Sequence, residues 1–497
     1  MKLSNIRVSN FISFGEEHTN LSFEDITFLI GSNGTGKTAV LQALCRLFSF
    51  NPSLRRIKKS DFHVPQDETE PPEERKLWIE ADFIFDELAD GEDSATIPPH
   101  YAHMRLDEDE EIPRVRFRLE ATMGLDGDID EDFNYVLDLD EAGESISTAK
   151  VTRSERNSIQ VHYLPARRDP SEHIAFSANA LLGRLLRAAS WDDERETIKT
   201  HTEQISECLS ENTSVNALSK NIQRSWNKLH KGDYFSEPKI TFASNEIEAL
   251  LRHLSVSFTP GHDDALVDFL RLSDGHKSML YLTLVLSSQA IGRAVLNGDD
   301  SFDIDKLRPP VFTLIAIEEP ENSLSPYHLG RIVNSLKELT GHEDAQAIIA
   351  IHAPSMLRRI EPEQIRYLRL SDSRASMVAH IQLPPVADDA HKFVTQAVKA
   401  FPEIYFSRLI VLGEGDSEEI VLPRLFEARG VPVDESAITI APLGGRHVNH
   451  FWRLLEKLNI PYVTLLSIGS DHTKQLTLQR KWLKIVSKTA LIDQFST

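Results

Sequence analysis

Cysteine is almost absent from this chain: Cys45 and Cys208 are the only two in 497 residues. Two thiols cannot build a disulfide framework, and no zinc-type Cys/His spacing accompanies them, so stability has to come from a packed core. Both read as structural thiols, which fits a reducing compartment. Long apolar runs are missing as well. None approaches the ~20 residues that span a bilayer's hydrocarbon core, so no membrane segment is expected. Residues 1–8 lack the apolar stretch and small-residue cleavage site of a secretory signal, which makes the cytoplasm the expected compartment. Positive charge is the third shortage: 54 Lys and Arg face 76 Asp and Glu, a formal net charge of −22. A surface of that sign cannot coat phosphates everywhere, so any nucleic-acid contact has to be local. Much of the acidity lies between residues 67 and 132, including Asp107, Glu108, Asp109, Glu110 and Glu111. Like charges in a run repel and extend, so this reads as a solvated loop or strand face.

The chain is long enough for two or three domains, because single cores stop growing near ~250–300 residues. Alternation predicts a strand over 6–11, and 26–30 is an apolar run of strand length. Val40, Leu41, Leu44, Leu47 and Phe48 then recur at three-to-four spacing, predicting a helix with one apolar stripe. Alternation returns over 77–136 and predicts a β-rich lobe of antiparallel strands with one wet face. Between 174 and 230 a polar stretch carries Ile198, Ile205, Leu209, Leu218, Ile222, Trp226 and Leu229 at amphipathic-helix spacing, read as an inserted helical arm. Mixed α/β pattern follows, with helix 276–293, strand 311–317, a helix near 328–340 and strand 347–351. Proline and acidic residues at 384–389 mark a boundary, and a βαβαβ pattern runs from 408 to 466.

Four short segments carry chemistry. Residues 31–38 satisfy G-x-x-x-x-G-K-[ST] between the apolar strand and the helix. Gly31, Gly34 and Gly36, with Asn33 among them, let backbone N–H groups turn inward around the phosphates of ATP, while the helix N-terminus adds its positive end. Lys37 reaches the outer phosphates, and Thr38 offers a hydroxyl to Mg²⁺. A second apolar strand ends in Glu318 and Glu319. Alternation would aim Glu318 at the metal shell and Glu319 at the γ-phosphate, where it orients the attacking water. Leu272, Ser273, Gly275 and Ser278 match L-S-x-G-x-x-S ahead of a helix, placing Ser273 to grip a γ-phosphate, although helix capping alone also explains a serine there. His352 closes the apolar strand over 348–351 and reads as a γ-phosphate sensor.

This set resembles the ABC ATPases of the SMC/RecF-like type, interrupted by an insertion rather than a long coiled coil. In ABC ATPases the signature acts on the partner subunit's nucleotide, so the resemblance implies a head-to-tail homodimer or higher homo-oligomer. Residues 408–418, a strand followed by E-G-x-S-E and a helix, resemble the first motif of a Toprim domain. An ABC-type ATPase fused to a C-terminal Toprim domain is the layout of the OLD (overcoming lysogenization defect) family of ATP-dependent endonucleases, which includes the large subunit of the Gabija anti-phage system. The resemblance covers roughly residues 1–466. It implies an α/β chain: an ABC-type P-loop head over 1–173 and 236–383, a helical dimerisation arm over 174–235, a linker over 384–402, and a partial Toprim domain over 403–497. It also implies double-stranded DNA as substrate, in phage defence or DNA repair, with a helicase or other defence protein as partner. Mg²⁺ or Mn²⁺ would sit at the Toprim acids. Glu414 matches the catalytic, metal-binding strand-end acid, and Glu418 the second metal ligand, one helical turn on and on the same face.

The match has departures. Where the family has D-x-D after the third Toprim strand, this chain has Ser467, Ile468, Gly469, Ser470 and Asp471, with neither carboxylate in register. Residues 474–497 lack the acids and strands that would finish the domain, so an incomplete Toprim fold is expected. Two carboxylates cannot fix a pair of divalent ions as four do, so nuclease activity is expected to be weak or absent. A nuclease-free nucleotide sensor or scaffold, and a RecF-like repair ATPase, stay open as alternatives. Ile12 stands where the family often has Arg after Asn-Phe, and Ser325 where it has His in Leu-His-Pro. Asp61, in a segment similar to one in the family, is a further candidate for contact with metal or water.

Overall fold

The computed structural model describes residues 1–85, 113–139, 145–166, 171–229, 251, 254, 256–259, 267–322, 324–381, 395, 399–443 and 448–465. The acidic run at 107–111, the boundary at 384–389 and the departure at 467–471 lie outside the described residues. The chain divides into two compact units. The first is Met1–Phe28, Gly36–Ile351 and Leu370–Ser376; the second is Leu29–Thr35, His352–Arg369 and Met377–Thr497.

In the first unit, an antiparallel sheet has the order β2-β1-β4-β5-β6-β7. Its strands are β1 (Lys2–Ser9), β2 (Thr19–Ser22), β4 (Glu74–Ile84), β5 (Arg114–Gly124), β6 (Ile129–Leu139) and β7 (Ser145–Lys150). Alternation in β5 sends Val115, Phe117, Leu119 and Ala121 into the core. The opposite face, expected to be wet, is charged but buried at its centre. Glu80 and Asp82 lie directly across from Arg118 and Arg116 in the β4–β5 register. Arg116 holds Asp82 at 2.5 Å, and Glu80 takes both Arg118 at 2.9 Å and Arg7 at 2.5 Å. Opposed charges on adjacent strands neutralise one another, so the face carries ions without needing solvent.

A second layer follows: β8 (Ile159–Leu164) and β12 (Ala345–Ala350) run parallel to β11 (Phe312–Glu318) on either side of it, and β12 borders the first half of β3 (Ile26–Ile30). Strands β3, β11 and β12 are buried along their whole length, which is why they read as unbroken apolar runs rather than alternating ones. Helix α1 (Lys37–Phe48) ends at Phe48, whose ring meets Phe83, Phe117 and Phe133 edge-on at 5.1–5.8 Å. Each such pair adds ~0.5–1.5 kcal/mol beyond the area it buries, so this aromatic knot anchors the far end of the helix that starts at Lys37.

The unit also contains α2 (Ser171–Ala188), α3 (Arg195–Glu211), α4 (Thr213–Leu229), the short pair β9 (Ser257–Phe258) and β10 (Val267–Asp268), α5 (Asp274–Leu296) and α6 (Pro326–Thr340). The end of α2 packs against α5: Leu185 and Ala188 form a buried cluster with Val295 and Leu307. The end of α2, at Leu185 and Ala188, therefore sits on the core, and α3 with α4 carry the exposed apolar residues beyond it. Helix α5 has the length and composition to cross a membrane. Its polar side chains are nonetheless engaged within the unit: Gln289 donates to Thr313 at 2.5 Å, Tyr281 pairs with His162 at 3.1 Å, and Arg293 holds Asp344.

In the second unit, the remainder of β3 borders β13 (Ile365–Leu370), and β13 borders β14 (Ser376–His380). A separate three-stranded parallel sheet has the order β16-β15-β17, from β15 (Leu409–Gly413), β16 (Ile438–Pro442) and β17 (Tyr462–Thr464). Helices α7 (Asp416–Ala428) and α8 (Val448–Lys457) connect them, giving the βαβαβ order expected from the sequence.

His162 is buried beneath α5 and stacked on Phe50 at 5.0 Å, and burial pushes its pKa down to about 3. The unfolded chain takes up this proton near the ordinary pKa of ~6.5. Stability is therefore present above that value and falls as pH drops from ~6.5 towards 3, by at most about 1.4 kcal/mol per pH unit. His162→Phe is expected to flatten the fall in unfolding midpoint between pH 6.5 and 4. Urea titrations at successive pH values check this, and equal slopes for both proteins would reject it.

Candidate functional site

Between β3 and α1 the loop 31–36 takes three backbone conformations that favour glycine: Gly31, Gly34 and Gly36 have φ of 143°, 79° and 99°. A Cβ on Gly31 would strike the Leu368 carbonyl, and one on Gly36 would strike the hydroxyls of Ser13 and Ser376. Gly36 thus keeps glycine for space as well as torsion. Asn33 and Gly34 are exposed at the loop's crest. The Thr35 hydroxyl donates to the Ser32 carbonyl at 2.9 Å and ties the loop across its mouth.

Lys37 is the first residue of α1 and is buried. Burial lowers its pKa to about 8, against the opposing pull of Glu319, then Glu318 and Glu321. An ammonium held this close to losing its proton gains when a polyanion arrives, because the added negative charge favours the protonated form. The Thr38 hydroxyl donates to the Glu318 carboxylate. Glu318 ends β11 and also accepts from the Tyr163 hydroxyl at 2.6 Å and from the Ala166 N–H at 3.2 Å. One hydroxyl and one fixed carboxylate leave most of an octahedral shell to phosphate oxygens and water, which is how Mg²⁺ prefers to be held. Among the described residues no group of three or more His, Cys, Asp or Glu forms a metal cage.

Glu319 differs from expectation in how it is aimed. It is not the next alternating residue of the strand: its φ is +43°, a left-handed conformation that is unusual for a non-glycine. Its N–H still donates to Ala350 at 2.8 Å, and its Oε2 accepts from the Asn322 amide at 2.6 Å. A turn after β11, rather than strand alternation, separates the two carboxylates.

Ser273 caps α5, accepting from the His276 N–H at 3.4 Å, with its Oγ 2.6 Å from His276 Nδ1. It is exposed, while Gly275 is buried in the first turn. The capping role is therefore realised, on a hydroxyl that remains at the surface. His352, half-buried, follows β12 in the second unit. Ser325, where the family has His, caps α6 by accepting from the His328 N–H at 3.4 Å. Ile12 sits in a left-handed conformation at φ +52°, its N–H donating to Asp61 at 2.7 Å and its carbonyl 2.8 Å from His63 Nδ1. Asp61 is not open to metal or water: it is buried, with both oxygens on Arg46 at 2.6 and 3.0 Å.

In the second unit, Glu414 stands exposed in the turn after β15 and precedes α7, so it does not share a helical face with Glu418. Glu418 is turned back on the helix start, accepting from the Gly415 N–H at 2.9 Å and the Ser417 hydroxyl at 3.0 Å. Those hydrogen bonds, the Gly415 N–H foremost, hold its pKa below the usual range. Gly413 is required here, since a Cβ would lie 2.8 Å from that of Glu418. Tyr163 and Gly413 were not among the residues expected from sequence; the apolar run of β8 was the available signal for Tyr163.

A phosphate loop on a parallel sheet, joined to a separate βαβαβ domain with an acid at the end of its first strand, defines an ATPase-type head coupled to a Toprim domain. The chain belongs to the family described as protein of unknown function DUF2813, whose profile matches residues 1–384. The TOPRIM domain of overcoming lysogenization defect protein-like chains matches residues 405–466. An OLD nuclease of Thermus scotoductus is 22% identical over 491 residues, covering 93% of this chain and 81% of that one. Similar solved structures include an Smc head bound to the C-winged helix domain of ScpA (15% identity, 77% of this chain, 99% of that one, TM-score 0.40). Another is the SMC head domain from Thermotoga maritima (14% identity, 77% of this chain, 100% of that one, TM-score 0.34).

Proposed function

We propose that the chain binds and hydrolyses ATP on the loop 31–38 and uses this cycle to act on DNA, in phage defence or repair, with little or no cutting by its Toprim acids. The convergence of Thr38, Tyr163 and Ala166 on the Glu318 carboxylate supports the proposal, because it fixes an acid beside the hydroxyl that would share a nucleotide's metal. The loop N–H groups and Lys37 bind and orient the phosphates. Thr38 and Glu318 would hold Mg²⁺, which neutralises charge on the outer phosphates. Glu319, steadied by Asn322, accepts a hydrogen bond from a water O–H and orients that water for in-line attack. Ser273 and Gly275 act on the nucleotide of a second protomer, and His352 reports the γ-phosphate. The exposed Ile205, Leu218, Ile222 and Trp226 of α3 and α4 support a dimerisation arm.

The 22% identical OLD nuclease supports DNA as the target. Weak cutting rests on the absent D-x-D register at 467–471 together with Glu418 being engaged as a helix cap. Purified chain is expected to hydrolyse ATP with Mg²⁺, with Lys37→Ala lowering turnover on the order of 100-fold or more. Supercoiled plasmid with Mg²⁺ or Mn²⁺ is expected to stay intact. Full turnover by Lys37→Ala would reject the ATPase reading, and brisk cleavage that Glu414→Ala abolishes would reject the weak-nuclease reading.

A further inference from the structure

In a chain this acidic, arginines are expected to find carboxylates, and Arg46, Arg75, Arg116 and Arg293 do. A different arrangement surrounds a cavity of about 460 Å³ between the end of α2, the turn into α3 and the segment 304–308, all within the first unit. Arg184, Arg187, Arg195 and Arg308 line it, and among the described residues none of the four has an ion-pair partner. Three carboxylates also line it. Asp303 is committed to Lys306 at 3.2 Å and to the backbone of 305 and 306; Asp192 and Asp305 are exposed.

Two of the guanidiniums are placed by the fold. Arg184 is half-buried and donates to the carbonyls of Leu307, at 2.7 Å, and of Arg308. Arg308 has a left-handed backbone, φ +45°, and its Nε donates to the Asp305 carbonyl at 3.0 Å. Carbonyls satisfy hydrogen-bonding geometry but leave the positive charges facing one another. Burial first, then Arg308 and Arg187, lower the pKa of Arg184, as crowded like charges do. Trp191 completes the wall. Its indole N–H is already spent on the Leu186 carbonyl at 2.7 Å, so what it offers a ligand is an apolar π-face.

We propose that this cavity binds a nucleotide unit, its phosphate held by Arg187, Arg308 and Arg195 and its base laid on Trp191. Guanidiniums pair with phosphate through parallel N–H donors, and base–indole stacking is indifferent to base identity. The volume lies within the ~300–1,000 Å³ of ordinary small-ligand sites, and a base paired inside a duplex could not enter it. The unit therefore comes from a single strand or from a free nucleotide. No residue of the loop 31–38 lines this cavity, so the assignment stands or falls without it.

The test uses the Lys37→Ala chain, which removes the phosphate loop's contribution. Fluorescein-labelled oligo(dT) of 15 nucleotides is the probe, read by anisotropy, with unlabelled dTMP as competitor. Arg187→Glu combined with Arg308→Glu is expected to weaken oligo(dT) binding at least about tenfold and to reduce the slope of log affinity against log salt by about 0.7, one single-strand phosphate contact. Trp191→Leu is expected to weaken binding about fivefold or more with the slope unchanged. Competition by dTMP in the parent, lost in the double variant, identifies a free nucleotide as an accepted source; binding of oligo(dT) alone identifies a strand. Arg195→Glu, at the exposed start of α3, serves as a second charge reversal should the double variant fail to fold. Oligo(dT) affinity and salt slope equal to the parent's in a folded charge-reversal variant, judged by unchanged melting, would overturn the assignment.

Discussion

Glu319→Gln is expected to bind ATP and fail to hydrolyse it. The substitution keeps the size of the side chain, and Gln tolerates the left-handed backbone at φ +43° about as poorly as Glu does, so the turn after β11 is retained. In the proposed cycle it removes the charge that accepts a proton from the attacking water, an effect on the order of 10²–10⁴-fold in the chemical step. Binding changes little, because in the proposed site the phosphates would be held by the loop N–H groups and by Lys37. Loss of Glu319's charge also removes the largest opposing pull on Lys37, whose pKa of about 8 should then fall further in the free protein. Nucleotide affinity of the variant is thus expected to drop at lower pH than that of the parent, since the ammonium is lost as pH rises through its pKa. Equilibrium binding of ATP from pH 7 to 9 and single-turnover hydrolysis separate the two effects. Unchanged single-turnover hydrolysis would move the general base elsewhere.

The loop over 31–38 is legible in the sequence because it is local. Eight consecutive residues carry its glycines, lysine and hydroxyl, and their torsions are dictated by residue type. The fully buried strands β3 and β11 are legible for a similar reason, since a sheet covered on both faces writes an unbroken apolar run. What closes the site is not local. Tyr163 meets Glu318 across 155 positions, and nothing in either neighbourhood announces the pairing. Asp61 was legible as an acid but not as Arg46's partner, because that depends on how the 3₁₀ turn at Lys59–Asp61 falls against α1. The β-rich lobe misleads in the same way: alternation marks Glu80, Asp82, Arg116 and Arg118 as outward, while cross-strand pairing decides whether outward means wet. For Glu319, periodicity predicts a direction that the backbone does not keep, since the turn after β11 sets it.

Mixing two inactive variants is expected to restore hydrolysis. Ser273 is exposed at the start of α5, and in the proposed pair it reaches the nucleotide held by its partner's Lys37. Lys37→Ala disables the loop of its own protomer, and Ser273→Arg disables the site of the neighbour, so each homodimer has no complete site. A heterodimer of the two has one site with both defects and one with neither. Random exchange makes half the dimers mixed and half the sites within those complete, so turnover is expected to recover to about a quarter of the parent's. Recovery further requires protomers to meet. If the exposed apolar side chains of α3 and α4 join them, adding Ile222→Asp to both variants should abolish the rescue by placing a charge in an apolar seam. Hydrolysis by each component and by the mixture, with the sedimentation of each, reads all of these at once. Full activity of Ser273→Arg alone would leave that serine as a helix cap and nothing more, and an active protomer that sediments alone would mean that each head completes its own site.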